Sequence, residues 1–469
     1  MKNLDNLYIR NDGERQYTNL LKSGVIFLTD TNNHKQDQNK GTEKDQIRPV
    51  ELDIAKLNDM TRTQLYALAR NFEIANYSKM SDHELIFSIL RKQTESIGYF
   101  FHEGILEIFS DGYGFLRSID NSLLQGSDDI YVSNTQIKRF NLFTGDVIAG
   151  QVRPPKDGEK YFALLRIEAI NYQAPEKARD RVSFENLTPE YPDRQMRLEN
   201  KSGPLSARII DMISPIGFGQ RTLIVAPPKA GKTTLLKDTA NSIAKNFPNT
   251  KRFVLLIDER PEEVTDLKDT VNANVIAAPF DMDPKDQIKV AEMTLHLAKK
   301  LVEFGHDVVI LMDSLTRLAR AYNLVVPSSG KLLSGGVDPA ALSFPKKFFG
   351  AARKIREGGS LTIIATALVD TGSKMDELIF EEFKGTGNME LILSRELSDK
   401  RIFPAINLKL SGTRKEELLL SEKNMRNMFI LRQFINDVNV EEALTFFMNL
   451  MKKYTENQDL YEAVEKQKI

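Results

Sequence analysis

The sequence predicts an α/β protein: a mainly parallel sheet with helices on both faces, preceded by a small helical module and a small β-barrel. Three observations predict it. Beyond about residue 206, apolar runs at Leu223, 253–257, 308–312 and 361–364 alternate with segments of helical period, the pattern of strands buried on both faces. From about 104 to 170 the apolar period is two, and Gly and Asp break it into short segments, as in small barrels. Between 51 and 97, Thr61 with Gln64 and Ser81 with Glu84 fit capping boxes, each opening a short helix.

Composition narrows the functional classes. A chain of 469 residues has room for about three domains. Lys and Arg number 64 against 65 Asp and Glu, a net charge of -1, so any nucleic-acid binding must come from local patches. The absence of cysteine excludes disulfides and thiolate zinc sites, and five histidines without HExxH-type spacing offer no zinc site either. The start is polar and no apolar run is long enough to span a bilayer, so a soluble, cytoplasmic protein with no membrane partner is expected.

Taken in order, residues 1–50 read as an N-terminal extension and linker, because 29–48 are mostly Asn, Gln, Lys and Asp with little to bury. In the helical module, 51–97, the apolar faces run through Leu65, Leu68 and Phe72, and through Leu85, Ile86, Ile89 and Leu90. In the barrel, 98–170, Tyr113 and Phe115 stand two apart and so share a face, with Arg117 continuing it and Tyr131 and Tyr161 able to extend it. Such rings either form a stacking platform for unpaired bases or fill the barrel core. Lys138, Arg139, Arg153, Lys156 and Lys160 favour nucleic acid. A charged, Pro-containing connector, 171–205, leads to the α/β domain, 206–469. There Asp283 caps a helix with Pro284 at its first position. After Asn424 the chain turns helical again, and Met428, Ile430, Leu431, Phe434 and Ile435 are expected to pack it down.

The chemistry concentrates in the α/β domain. Thr222 to Thr234 is an apolar strand running into a tight loop, Lys229-Ala-Gly-Lys-Thr233, and then a helix with Leu236, Ala240, Ile243, Ala244 and Phe247 at helical spacing before Pro248. A strand–loop–helix unit of this kind aims backbone N–H groups at phosphates; Lys232 would reach the outer phosphates of ATP and the Thr233 hydroxyl would ligate Mg2+. Ala230, Gly231 and Thr234 complete the cradle. Ala226 stands where the usual motif has its first glycine. Two further strands end in acid, at Glu259 and Asp313. At the carboxyl end of a parallel sheet Asp313 suits the metal and Glu259 suits polarising the attacking water.

Taken with Asp111-Gly-Tyr-Gly-Phe-Leu-Arg117, Asp129-Ile-Tyr-Val-Ser133, Ile257-Asp-Glu-Arg-Pro-Glu-Glu-Val-Thr265, Asp313-Ser-Leu-Thr-Arg317, Gly350-Ala-Ala-Arg353, Thr371-Gly-Ser-Lys374 and Ser411-Gly-Thr-Arg414, these motifs resemble the Rho family of bacterial transcription termination factors from residue 51 onward. The resemblance implies a RecA-like P-loop ATPase core behind an OB-type barrel. It implies a homohexameric ring that binds C-rich nascent RNA, uses ATP and Mg2+ to translocate 5′ to 3′ as an RNA–DNA helicase, and meets RNA polymerase and transcription elongation factors. On the family's pattern Tyr113, Phe115, Arg117, Tyr131, Glu159 and Tyr161 form a primary RNA cleft. Lys331, Ser334 and Lys374 lie on loops that grip RNA in the ring's channel, with Ser334 where other members carry Thr. Arg414 matches an arginine finger donated to the next subunit, Phe403 an adenine-stacking ring, and Lys229 a second phosphate contact. Residues 1–50 have no counterpart in shorter members. Two other readings compete: a rotary-type ring ATPase, against which the aromatic barrel stands, and an RNA-binding scaffold with a regulatory ATP site, which would need neither Glu259 nor Arg414.

Overall fold

A computed structural model describes residues 53–96 and 100–466, together with two-residue strands at Tyr17–Thr18 and Phe27–Leu28. The linker expected over 29–48 lies outside the described residues. The chain divides into two compact units, Met1–Gly98 and Tyr99–Ile469.

In the first unit, helices Ile54–Asn58, Arg62–Asn71 and Asp82–Ser96 enclose a core of Leu57, Leu65, Leu68, Leu85 and Ile89. Both capping boxes form. The Thr61 N–H donates to Gln64 Oε1 at 2.8 Å and the Gln64 N–H returns to Thr61 Oγ1 at 3.4 Å; Ser81 and Glu84 make the same exchange at 2.7 and 3.3 Å. Each satisfies two backbone donors that a helix start leaves open. Phe72, expected on the apolar face, instead ends its helix as the C-cap and is only half-buried.

The second unit opens with a closed barrel of five strands, Phe100–Ile108, Gly114–Arg117, Ile130–Val132, Val147–Arg153 and Phe162–Ile170. All neighbours are antiparallel except Ile130–Val132 against Phe162–Ile170. Its interior is aliphatic, with Leu106, Leu116, Ile130, Val132, Ile148 and Val152 at most 4% exposed. Of the barrel's aromatic residues, Phe140 and Phe162 pack against this core and are only partly buried.

The α/β part carries parallel strands in the order Asn274–Ala278, Lys251–Ile257, Asp307–Asp313, Ser360–Leu368, Arg221–Ala226, Met389–Ile392. Gly412–Thr413 closes one edge antiparallel. Every residue from Val308 to Asp313 is buried, as continuous apolar runs require when helices cover both faces. Lys232–Asn246 and the C-terminal helices pack on one side, while Pro284–Glu303, Leu315–Val325 and Lys374–Lys384 pack on the other. The tail helix Glu422–Asp437 buries Met428, Leu431 and Ile435, but Ile430 is 41% and Phe434 51% exposed. That corrects the expectation for these two: at 3.6 residues per turn they flank the buried stripe on its solvent side and do not fall within it. Among the described residues no helix is long and apolar enough to cross a membrane.

Candidate functional site

Strand Arg221–Ala226 feeds a loop that ends at Gly231, the N-cap of helix Lys232–Asn246. Among the described residues no side chain caps that helix start, so its first N–H groups are left for an anion. The Lys232 ammonium donates to Asp313 Oδ1 at 2.6 Å and to Glu259 Oε1 at 3.1 Å. Thr366 Oγ1 donates to Asp313 Oδ1 at 2.8 Å. Burial lifts the Glu259 carboxyl, but Lys232 and Arg317 outweigh it and hold the group below the ordinary carboxylate range. Burial likewise disfavours the Lys232 ammonium, and Asp313 and Glu259 reverse that and raise it. The result is a charged lysine held between the Glu259 and Asp313 side chains.

Asp313 is 1% exposed, and its Oδ2 is buried with no hydrogen-bond partner among the described residues. A desolvated carboxylate oxygen left without a donor is costly unless a cation or water meets it. It has the donor chemistry Mg2+ takes, so the residues fit the ion. Arg317, to which the sequence reading assigned no role, lies 3.3 Å from Glu259 Oε2. Its signal was available: it stands one turn beyond Asp313 on a helix whose Ser314 cap accepts from the Arg317 N–H at 3.2 Å.

Lys229, Ala230, Gly231, Thr234 and Phe403 come together around one cleft of about 360 Å³, joined by Leu205, which the sequence did not single out. The Phe403 ring is 42% exposed and lies flush with Gly231, where a β-carbon would stand 3.4 Å from it. Arg414 is elsewhere. Its N–H donates to Asn388 O, and the Asn388 N–H donates to Arg221 O, which sets Arg414 at the beginning of the strand whose far end carries the loop. Burial, then Arg353 and Arg414, push the Arg221 guanidinium down, so three arginines gather at this end of the sheet.

On the barrel, Phe115 lies 4.8 Å from Tyr161, 5.9 Å from Tyr131 and 6.0 Å from Tyr113 between ring centroids. Phe109, unnoticed in the sequence, stacks on Tyr113 at 5.7 Å. The rings face outward: Tyr131 is 38% exposed. Beside them Tyr131, Tyr161, Arg153 and Glu159 line a cleft of about 500 Å³. Arg153 grips Glu159 bidentately at 2.6 and 2.9 Å and holds its carboxyl down at about 2. Arg117 departs from the reading that put its charge on the open face. Its side chain is 2% exposed, paired to Asp129 and, at 2.6 Å, to Glu107, with its guanidinium 5.4 Å from the Phe115 ring and 5.6 Å from that of Phe109. It lies beneath the rings because two carboxylates on neighbouring chain segments draw it inward.

The two loops expected to act together do meet. Lys331 and Ser334 are exposed. Gly335, at φ 74°, presses so closely on the neighbouring loop that a β-carbon there would come within 2.7 Å of the Met375 nitrogen. That brings Ser334 beside Lys374, the exposed first residue of helix Lys374–Lys384. Two residues on, the buried Asp376 takes a bidentate pair from Arg320 at 2.8 and 2.6 Å. Arg320 stands one helical turn after Arg317.

Known proteins resemble this chain over as much as 89% of its length. Residues 56–98 match the N-terminal domain of Rho termination factor, 102–176 its RNA-binding domain, and 206–413 the nucleotide-binding domain of the ATP synthase alpha/beta family. Transcription termination factor Rho from Thermotoga maritima is 61% identical over 417 residues, covering 89% of this chain and 98% of that protein. Those from Bacillus subtilis and Escherichia coli K12 are 56% and 53% identical, each over 88% of this chain and over 96% and 100% of theirs. A solved ATPase from the type III secretion system of pathogenic bacteria shares the fold at a TM-score of 0.50 and 23% identity, covering 60% of this chain and 88% of that one.

Proposed function

We propose that this chain, which belongs to the transcription termination factor Rho family, is an RNA-dependent ATPase that moves 5′ to 3′ along nascent RNA and releases it from RNA polymerase. The observation that carries the reading is the presence, in one compact unit, of an outward-facing cluster of five aromatic rings and a phosphate loop set among Lys232, Glu259 and Asp313. Rings of this kind stack unpaired bases whatever their sequence. A C-rich preference rests on the family resemblance alone.

At the nucleotide site, the helix start at Lys232 and the loop N–H groups would bind the β- and γ-phosphates, with the Lys232 ammonium released from its carboxylate partners to meet them. Phe403 would stack on adenine against Gly231. Asp313 and Thr233 would hold Mg2+, which supplies charge neutralisation at the phosphates. Glu259, ionised by Lys232 and Arg317, would orient the attacking water and accept a proton from it. Arg414, with Arg221 and Arg353 beside it, lies too far from its own phosphate loop to act there. It supports a ring in which each subunit completes its neighbour's site, a homohexamer by the family resemblance. The helix carrying Arg317 and Arg320 ties Glu259 to the Lys374 loop, a route by which hydrolysis could move RNA held by Lys331, Ser334 and Lys374.

The test is ATP hydrolysis with and without poly(C), with poly(A) and duplex DNA as controls. Strong stimulation by poly(C) alone supports the reading. Hydrolysis indifferent to RNA would favour the rotary-type alternative, for which the barrel's aromatic cluster has no use.

A further inference from the structure

The barrel rests on one helix of the ATPase part, Pro284–Glu303. Three of that helix's residues, Lys289, His296 and Glu303, are seven apart and so lie on one stripe. Each meets the barrel or the segment after it. Lys289 pairs with Glu107 at 2.6 Å. The His296 backbone lies where a β-carbon on Gly145, at φ 96°, would come within 2.5 Å. Glu303 approaches Arg181 at 3.7 Å, and Arg181 in turn grips Asp146 at 2.5 and 2.9 Å. The opposite side of the helix, through Val290, Ala291, Leu297 and Leu301, is buried in the ATPase core.

The first of these contacts reaches the rings. Glu107 also accepts from Arg117 at 2.6 Å, and Arg117 pairs with Asp129 beneath Phe109 and Phe115. Lys289, Glu107, Arg117 and Asp129 therefore form a row of alternating charge that sums to zero, in which Lys289 is the only member from the ATPase part. The Lys289 side chain is 35% exposed, Glu107 is 13%, and Arg117 and Asp129 are each 2%, so water reaches the Lys289 end but screens the other three charges poorly.

We propose that Lys289 is a positioning residue for RNA: from the ATPase part it balances the buried charge under the aromatic platform, so that the platform reaches full affinity only when seated on helix Pro284–Glu303. Without Lys289 the row carries a net negative charge directly below the surface that must accept a polyanion, and Glu107 draws Arg117 away from Asp129. The proposal rests on the reading of the rings as an RNA site.

The experiment uses the full chain and measures binding of a short fluorescent oligo(C) RNA, with thermal melting as a control for folding. Lys289→Gln should weaken binding about fivefold, and Lys289→Arg should stay within about twofold of the parent, as for other partly buried charge pairs. The double variant Glu107→Gln with Lys289→Gln, which restores neutrality, should bind more tightly than Lys289→Gln alone. A loss of packing would not be repaired by a second substitution, so that recovery separates charge balance from a structural effect. Lys289→Gln binding as tightly as the parent, or a double variant weaker than both single ones, overturns the proposal. Phe115→Ala separates the two layers: if it weakens oligo(C) binding while Lys289→Gln does not, only the role of Lys289 fails; if neither does, the RNA reading of the rings fails with it.

Discussion

Replacing Arg414 by alanine tests whether the nucleotide site is shared between subunits. Backbone pairing places Arg414 level with Arg221, five residues before the strand ends at Ala226. At ~3.3 Å per residue that is about 17 Å along the strand, with two strand spacings of ~4.8 Å to cross as well. An arginine side chain spans only about 7 Å from its Cα, so Arg414 cannot reach its own phosphates. If it serves the next subunit, Arg414→Ala should cost about 10³-fold in RNA-stimulated turnover, the lower end for arginine fingers. Lys232→Ala should be inactive for a different reason. In a 1:1 mixture assembled at random, about a quarter of subunit interfaces join an intact Lys232 to an intact Arg414, since each is present in half the subunits of a closed ring. Steady-state hydrolysis across mixing ratios should therefore rise from near zero to at most about a quarter of the parent rate and peak at equal amounts, if sites fire independently. Two results would refute the reasoning: Arg414→Ala retaining more than about a tenth of parent turnover, or no recovery at any ratio when fluorescent labels show that subunits exchange.

Other expectations follow from single residues. Glu259→Gln should keep ATP and RNA binding but lose about 10²- to 10⁴-fold in hydrolysis, measured by single-turnover kinetics; parent-like turnover would remove Glu259 from the chemistry. Phe115→Ala should weaken single-stranded RNA binding by about 1 to 3 kcal/mol without lowering the thermal midpoint, and a large loss of stability would instead return the ring to a packing role. Leu311→Ala, at a residue 0% exposed in a strand between two helical layers, should destabilise by about 2 to 5 kcal/mol in urea unfolding. Burial raises the Asp211 carboxyl to about 7 even though the Leu198 and Glu199 N–H groups donate to it. The folded state then binds more protons than the unfolded one between about pH 4 and 7, so this group's contribution to stability falls as pH rises through that window. Asp211→Asn should flatten that part of the stability profile, and an unchanged slope would count against the shift.

What was legible in the sequence was local. Strand and helix periods, the capping boxes at Thr61 and Ser81, and the run from Thr222 to Thr234 depend on neighbours a few residues apart, and so do the acidic strand ends at Glu259 and Asp313, because a buried strand must end where its apolar run ends. Those features suffice for the fold class, and the quoted motifs suffice for the family. What the tertiary structure decided was which groups from distant segments share a space. Arg117 looked like an open-face charge because strand alternation sets its side relative to Phe115; only the approach of Glu107 and Asp129 draws it under the rings. Ile430 and Phe434 looked like packing residues because apolar character does not state which side of a helix meets a neighbour. Arg317 reaches Glu259, Lys289 reaches Glu107, and Arg414 stands across the sheet from its own loop, all through contacts between residues 26 to 182 positions apart. Sequence spacing carries no distance for such pairs; the order of strands and the seating of helices on them do.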